Sequence, residues 1–66
     1  MTENRVKEFR EKLGLSQVEV ARRAKMHPSN LSTIENGKLL AWDKAKRAIA
    51  RALKTTPEEL FPEKVS

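Results

Sequence analysis

The chain has 66 residues, 14 Lys and Arg against 9 Asp and Glu, a net charge of +5 and no cysteine. That length allows one small domain, and the missing cysteine excludes disulfides and thiolate zinc sites, while the single His27 excludes a histidine-cluster metal site. Helix packing must then hold the domain together, and the positive charge favours nucleic acid or an acidic surface as partner.

Val6, Phe9 and Leu13 form one helical stripe, which predicts a first helix from about Glu3 to Lys12, ended by Gly14. Ser16-Gln17-Val18-Glu19 is a capping box, with Leu15 and Val20 as the matching hydrophobic staple. It opens a second helix that buries Val20, Ala21 and Ala24 and ends near Ala24 or Lys25. Pro28 suits a first helical position, because its missing amide hydrogen costs nothing there. A third helix therefore starts at Pro28, with His27 as N-cap, Leu31 and Ile34 inward, and Asn36-Gly37 as its end.

Trp42, Ala45, Ile49 and Leu53 share one face of a fourth helix, and that stripe makes Trp42 a core candidate. Thr56-Pro57-Glu58-Glu59 caps a single fifth turn carrying Leu60 and Phe61, which Pro62 ends. No alternating apolar run suggests a strand. The expected class is all-α: five short helices in one domain over residues 1–62, with a short C-terminal tail at 63–66.

The chemistry expected of this chain is binding, not catalysis. There is no Gly-rich phosphate loop, no Ser/His/Asp set and no metal spacing. So few helical residues rarely enclose a water-excluding pocket, so no cofactor and no small-molecule ligand are expected. No apolar run reaches the roughly 20 residues of a membrane span, and Met1-Thr2-Glu3-Asn4-Arg5 is polar. A cytoplasmic protein without a membrane partner is the expectation.

Two short helices joined by a tight turn, over Gln17 to Glu35, make a helix-turn-helix pattern. The chain resembles the phage-repressor-like helix-turn-helix proteins of the Cro/Xre type. The resemblance rests on Leu15-Ser16-Gln17, Ala21, Met26, Leu31, Ile34-Glu35-Asn36-Gly37-Lys38, Ile49-Ala50, Leu53 and Glu59-Leu60-Phe61, and covers about residues 5 to 61. It implies a compact, lambda-repressor-like five-helix domain that reads the DNA major groove. It also implies phosphate contacts at Gln17, Asn36 and Lys38, and a partly buried ion pair between Arg10 and Glu35.

The residues themselves support that role. A recognition helix offers its N-terminal side chains to base edges. Pro28, Ser29, Asn30 and Thr33 are the base-reading candidates: Asn pairs with adenine, Ser bonds several edges, and Thr or Pro touches a thymine methyl. A solvated helix face is the plainer account of Ser29, Asn30 and Thr33. His27 fits a cap or a phosphate neighbour, and Arg22 and Arg23 fit phosphate contact or plain solvation. Charge is divided along the chain, with residues 16–27 at net +2, 41–54 at +4 and 55–66 at −2.

Three positions depart from the family pattern. The turn after the second helix usually has Gly where Lys25 stands. The fourth helix carries Lys46-Arg47 where leucines are common. The connection reads Leu39-Leu40-Ala41-Trp42 instead of being polar. A contiguous apolar patch on a small protein usually marks an interface, and the family often dimerises here. The expected homodimer contact draws on some of Leu39, Leu40, Trp42, Pro57, Leu60 and Phe61, the plainer account being that they only close the core of one copy, and it would place two copies on a pseudo-palindromic double-stranded operator. The expected function is a transcriptional repressor. The rivals are an antitoxin that represses its own operon and an interaction module that kept the fold.

Overall fold

Residues 4–39 and 41–62 are described by a computed structural model of the chain; Glu3, Leu40 and the expected tail at 63–66 lie outside the described residues. The helices are α1 (Val6–Lys12), α2 (Gln17–Ala24), α3 (Pro28–Glu35), α4 (Asp43–Ala52) and α5 (Pro57–Leu60), with no strand among the described residues. The caps sit where the sequence places them. Ser16 Oγ accepts from the Glu19 amide at 3.1 Å, and Thr56 Oγ1 from the Glu59 amide at 3.3 Å. His27 is extended at the head of α3, with Pro28 in the first helical position.

The first helix begins later than its polar and apolar pattern suggests. Asn4 and Arg5 are not helical. Asn4 Oδ1 accepts from the Val6 amide at 3.1 Å, while Asn4 Nδ2 donates to the Ile34 carbonyl at 2.8 Å. The Arg5 amide donates to the Leu60 carbonyl at 2.8 Å. These bonds commit the Asn4 side chain and the Arg5 amide to the ends of α3 and α5, while the Arg5 carbonyl accepts from the Phe9 amide as the first bond of α1. At the surface, a hydrogen bond and charge attraction from Arg5 hold the Glu8 carboxyl below its ordinary value, and raise Arg5 in turn.

Val6, Val20, Leu31, Ile34, Ile49 and Leu60 are fully buried, and Leu53 and Phe61 nearly so. Each contributes on the order of 1.5–3 kcal/mol through burial. The middle helix α2 packs against both α3 and α4, and α5 lies on α4. Ala21, Ala24, Ala45 and Ala50 are buried too, and their small side chains let the backbones approach. Phe9, Leu15, Met26 and Leu39 close the margins. Two stripe residues do not join the core. Leu13 is the C-cap of α1 and 47% exposed, and Trp42 is the N-cap of α4 and 48% exposed. Each is a cap residue just outside its helix, a position where helical spacing alone does not fix the side chain; Leu53, the C-cap of α4, is buried all the same.

Four helix ends share one geometry. The Leu15, Met26, Lys38 and Thr55 amides reach back five residues to the carbonyls of Arg10, Ala21, Thr33 and Ala50. The residue before each reaches back three, as in a Schellman motif. That motif needs a left-handed residue, and Gly14 (φ 70°) and Gly37 (φ 75°) supply it twice. Lys25 and Lys54, each at φ 58°, supply it the other two times. A residue with a Cβ is disfavoured there by about 1–2 kcal/mol, partly offset by the greater unfolded-state freedom of glycine. Lys25→Gly and Lys54→Gly should therefore each stabilise the domain by about 1 kcal/mol, raising the melting midpoint by about 4–8 °C. Chemical denaturation checks this, and a lower midpoint in either variant would contradict it.

Candidate nucleic-acid interface

Helix α3 is fixed on its inner side before it offers anything outward. Leu31 and Ile34 lock its middle to the core. Its last residue, Glu35, is held by Arg10: Nε donates to Oε2 at 2.6 Å and Nη2 to Oε1 at 3.4 Å. The Arg10 side chain is 12% exposed and that of Glu35 only 2%. Two further bonds complete the cluster. Arg10 Nη1 donates to the Leu15 carbonyl at 2.9 Å, and Gln17 Nε2 donates to Glu35 Oε1 at 2.9 Å. One carboxylate thus joins α1, the head of α2 and the end of α3. Among the described residues no buried side-chain polar atom is left unpaired.

The other face of α3 is polar and neutral. Ser29 and Asn30 are exposed, and Pro28 and Thr33 half-buried. His27 Nδ1 accepts from the Ser29 amide at 3.3 Å and lies 2.8 Å from Ser29 Oγ. Thr33 Oγ1 donates to the Ser29 carbonyl at 2.7 Å. The four base-reading candidates therefore lie on the first two turns of one helix.

The phosphate candidates flank that helix. Gln17 is the first residue of α2, half-buried, with one amide hydrogen already given to Glu35. Asn36 caps the far end of α3, and Lys38 follows Gly37; both are exposed, as is Arg22 on α2. Arg23, Lys25, Lys44, Arg47 and Arg51 are exposed as well, and only Arg23 has an acidic neighbour, Glu19, at a loose 3.8 Å. Exposed cations stand on α1, α2 and, most densely, α4, and α3 has none.

The apolar set named for a dimer contact divides. Leu60 is fully buried and Phe61 is 8% exposed, so both are removed from that set: their surface is spent inside one copy. Lys46 covers part of the Phe61 ring at 5.7 Å. Leu39 is half-buried against the core, and Leu40 lies outside the described residues. Trp42 and the half-buried Pro57 keep surface that a partner could use. Sequence reasoning missed the roles of Asn4 and of Gln17 toward Glu35, since neither a single polar residue before a helix nor a first-turn Gln announces its partner.

A short helix packed across a tight turn from a second, with its outer face left polar, defines the helix-turn-helix class. A family model described as a helix-turn-helix domain matches residues 4–61. The chain belongs to that family, whose domain suggests DNA binding. No curated protein matches the chain. Among the described residues, no helix is long and apolar enough to cross a membrane.

Arg10→Met removes the cation from a carboxylate with almost no access to water. Breaking one side of such a pair typically costs about 3–5 kcal/mol, comparable to the roughly 3–5 kcal/mol one core supplies at this size. The variant should be largely unfolded at room temperature, as read by circular dichroism at 222 nm. A melting midpoint within a degree or two of wild type would refute the structural weight given to this pair.

Proposed function

We propose that this protein is a sequence-specific regulator of transcription of the phage-repressor-like, Cro/Xre type. It binds double-stranded DNA and places α3 in the major groove, in the cytoplasm, with no catalytic step. The observation that carries this reading is the two-sided character of α3. Leu31, Ile34 and Glu35 anchor one side, and Ser29, Asn30 and Thr33 stand free of the core on the other. Rigid backing under small polar side chains is what base reading requires. Exposed cations on the neighbouring helices supply the sequence-independent attraction. Repression by occupying the operator is the simplest outcome of such binding.

Duplexes selected from a random pool and titrated by fluorescence anisotropy test the reading. Affinity should fall steeply with salt as counterions are released. Lys38→Ala should weaken all duplexes alike and reduce the salt slope by about one. Asn30→Ala should instead cost about 1–3 kcal/mol of discrimination at one position. Salt-insensitive binding, or preference unchanged by Asn30→Ala, would remove the assignment and favour an interaction module.

The homodimer belongs to the same proposal, with its surface narrowed to Trp42, Pro57 and Leu39. Two copies related by a two-fold axis would meet half-sites about 34–36 Å apart, one helical turn. Sedimentation at rising concentration should show a dimer that Trp42→Glu dissociates. A strict monomer at high micromolar concentration, with selected sites lacking symmetry, would end the dimer reading.

A further inference from the structure

Both hydroxyls of the outer face of α3 already have a hydrogen-bond partner within the protein. The Ser29 amide can only donate, and it points at His27 Nδ1 from 3.3 Å. Nδ1 is therefore the accepting nitrogen, and the tautomer that fits this bond carries its proton on Nε2. Ser29 Oγ lies 2.8 Å from that same nitrogen. Facing an acceptor, the hydroxyl must direct its hydrogen inward at His27, which leaves Oγ with lone pairs alone for solvent or ligand. Thr33 reaches the same state by another route. Its Oγ1 gives its hydrogen to the Ser29 carbonyl at 2.7 Å, the four-residue back-bond of a helical threonine.

We infer that His27 and the Ser29 carbonyl set Ser29 and Thr33 as acceptor-only readers, so that each selects a base bearing an exocyclic amino group. In the major groove those bases are adenine, through N6, and cytosine, through N4. Guanine O6 and thymine O4 occupy the equivalent places with acceptors, and would leave two sets of lone pairs facing each other without a hydrogen. The selected feature on the strand approached is amino over keto, whichever ring carries it. Asn30 is exposed and its side chain makes no hydrogen bond to the described residues, so its carboxamide keeps both donor and acceptor and is bound by no such rule. His27 is here a positioning residue: it touches Ser29, and its effect on the base passes through that hydroxyl.

This inference rests on the groove-reading role proposed above, and the experiment separates the two. Duplex sites are selected with the wild-type protein, and Ser29→Ala and Thr33→Val locate the base pairs that each hydroxyl reads. Both substitutions lie on the outer face of α3, away from Leu31 and Ile34. Adenine or cytosine should be favoured over guanine or thymine at those positions by roughly five- to tenfold. Purine in place of adenine, which lacks the amino group, should weaken wild-type binding by the same factor and leave the Ser29→Ala protein indifferent. His27→Ser, which keeps a good helix cap, should erase the amino preference at the Ser29 position alone, with the Thr33 position and the salt slope unchanged.

Guanine or thymine favoured at the Ser29-dependent position, or a His27→Ser protein with the amino preference intact, would overturn the acceptor assignment while leaving groove reading in place. No enriched base at any position, with Ser29→Ala, Thr33→Val and Asn30→Ala all silent, would overturn groove reading and the acceptor assignment with it. Should His27→Ser fail to fold, the wild-type preference and the purine substitution decide the question by themselves.

Discussion

The Glu35 carboxylate is the point through which the three N-terminal helices are set relative to one another. It is almost without access to water, and it accepts from Arg10 on α1 and from Gln17 at the head of α2. A buried carboxylate that lost those donors would keep the full cost of its desolvation. The same Arg10 fork ties down the Leu15 carbonyl in the α1–α2 connection. Asn4 adds a fourth strut, from the start of α1 to the Ile34 carbonyl next to Glu35. The end of α3 is thereby held by charge-assisted and neutral hydrogen bonds, while its middle is held by Leu31 and Ile34. Such bonds are directional, whereas apolar contact alone tolerates some rotation of a helix about its axis. An eight-residue helix has few apolar side chains with which to define that rotation, so the polar cluster does for orientation what the core does for affinity.

Orientation matters because α3 divides its residues so finely. Leu31 and Ile34 face the core, and Ser29, Asn30 and Thr33 occupy the remaining arc. Successive residues are about 100° apart on a helix. A turn of α3 by one residue would expose Leu31 and bring Asn30 or Ser32 toward apolar neighbours. The N-terminal end is regulated as closely. Pro28 fixes the first backbone angle and His27 caps it with a ring nitrogen. The helix is therefore set at both ends by side chains that lie outside the core, and its reading face is a consequence of those two fixings.

The elements were legible in the sequence because this chain marks its helix boundaries with chemistry instead of with length. Ser16, His27 and Thr56 act as caps in the structure, and Gly14 and Gly37 take the left-handed angle. Apolar spacing identified Val6, Val20, Leu31, Ile34 and Ile49 as inward residues for the same reason, since each lies within a helix where periodicity sets direction, and it held as well at Leu53, the C-cap of α4. It failed at Leu13 and Trp42, two cap residues where periodicity alone does not fix the direction of the side chain. For Leu60 and Phe61 the sequence leaves open a dimer contact or the core of one copy, and the single turn of α5 needs both to attach itself to the core. The second left-handed lysine, Lys54, carried no signal at all, because a Schellman end is a property of backbone bonds and not of the side chain that occupies it. The candidate site was legible as a set of residues. What was not legible was its hydrogen bonding, because Gln17 to Glu35 spans 18 positions and the hydroxyl directions at Ser29 and Thr33 depend on local geometry.

The separation of charge from reading groups follows from the same economy of size. In the proposed complex, a Lys or Arg on α3 would find phosphates on nearly any sequence, since they lie close to both groove edges. Its contribution would then be common to right and wrong sites, raising affinity and lowering the ratio between them. Here α3 holds Glu35 as its one charged residue, and that charge is neutralised inside the protein by Arg10. In that complex the cations of α2 and α4 and Lys38 would act at the range of a Debye length of about 8 Å without touching a base edge. Ser29 and Thr33 carry no charge, and with their hydroxyl hydrogens directed inward as inferred above, their contacts would stabilise only the base pairs whose donors meet them. Attraction and discrimination therefore fall to different helices, and the Glu35 cluster is what lets them do so within 66 residues: it holds α3 against α1 and α2 without requiring a further apolar layer behind it.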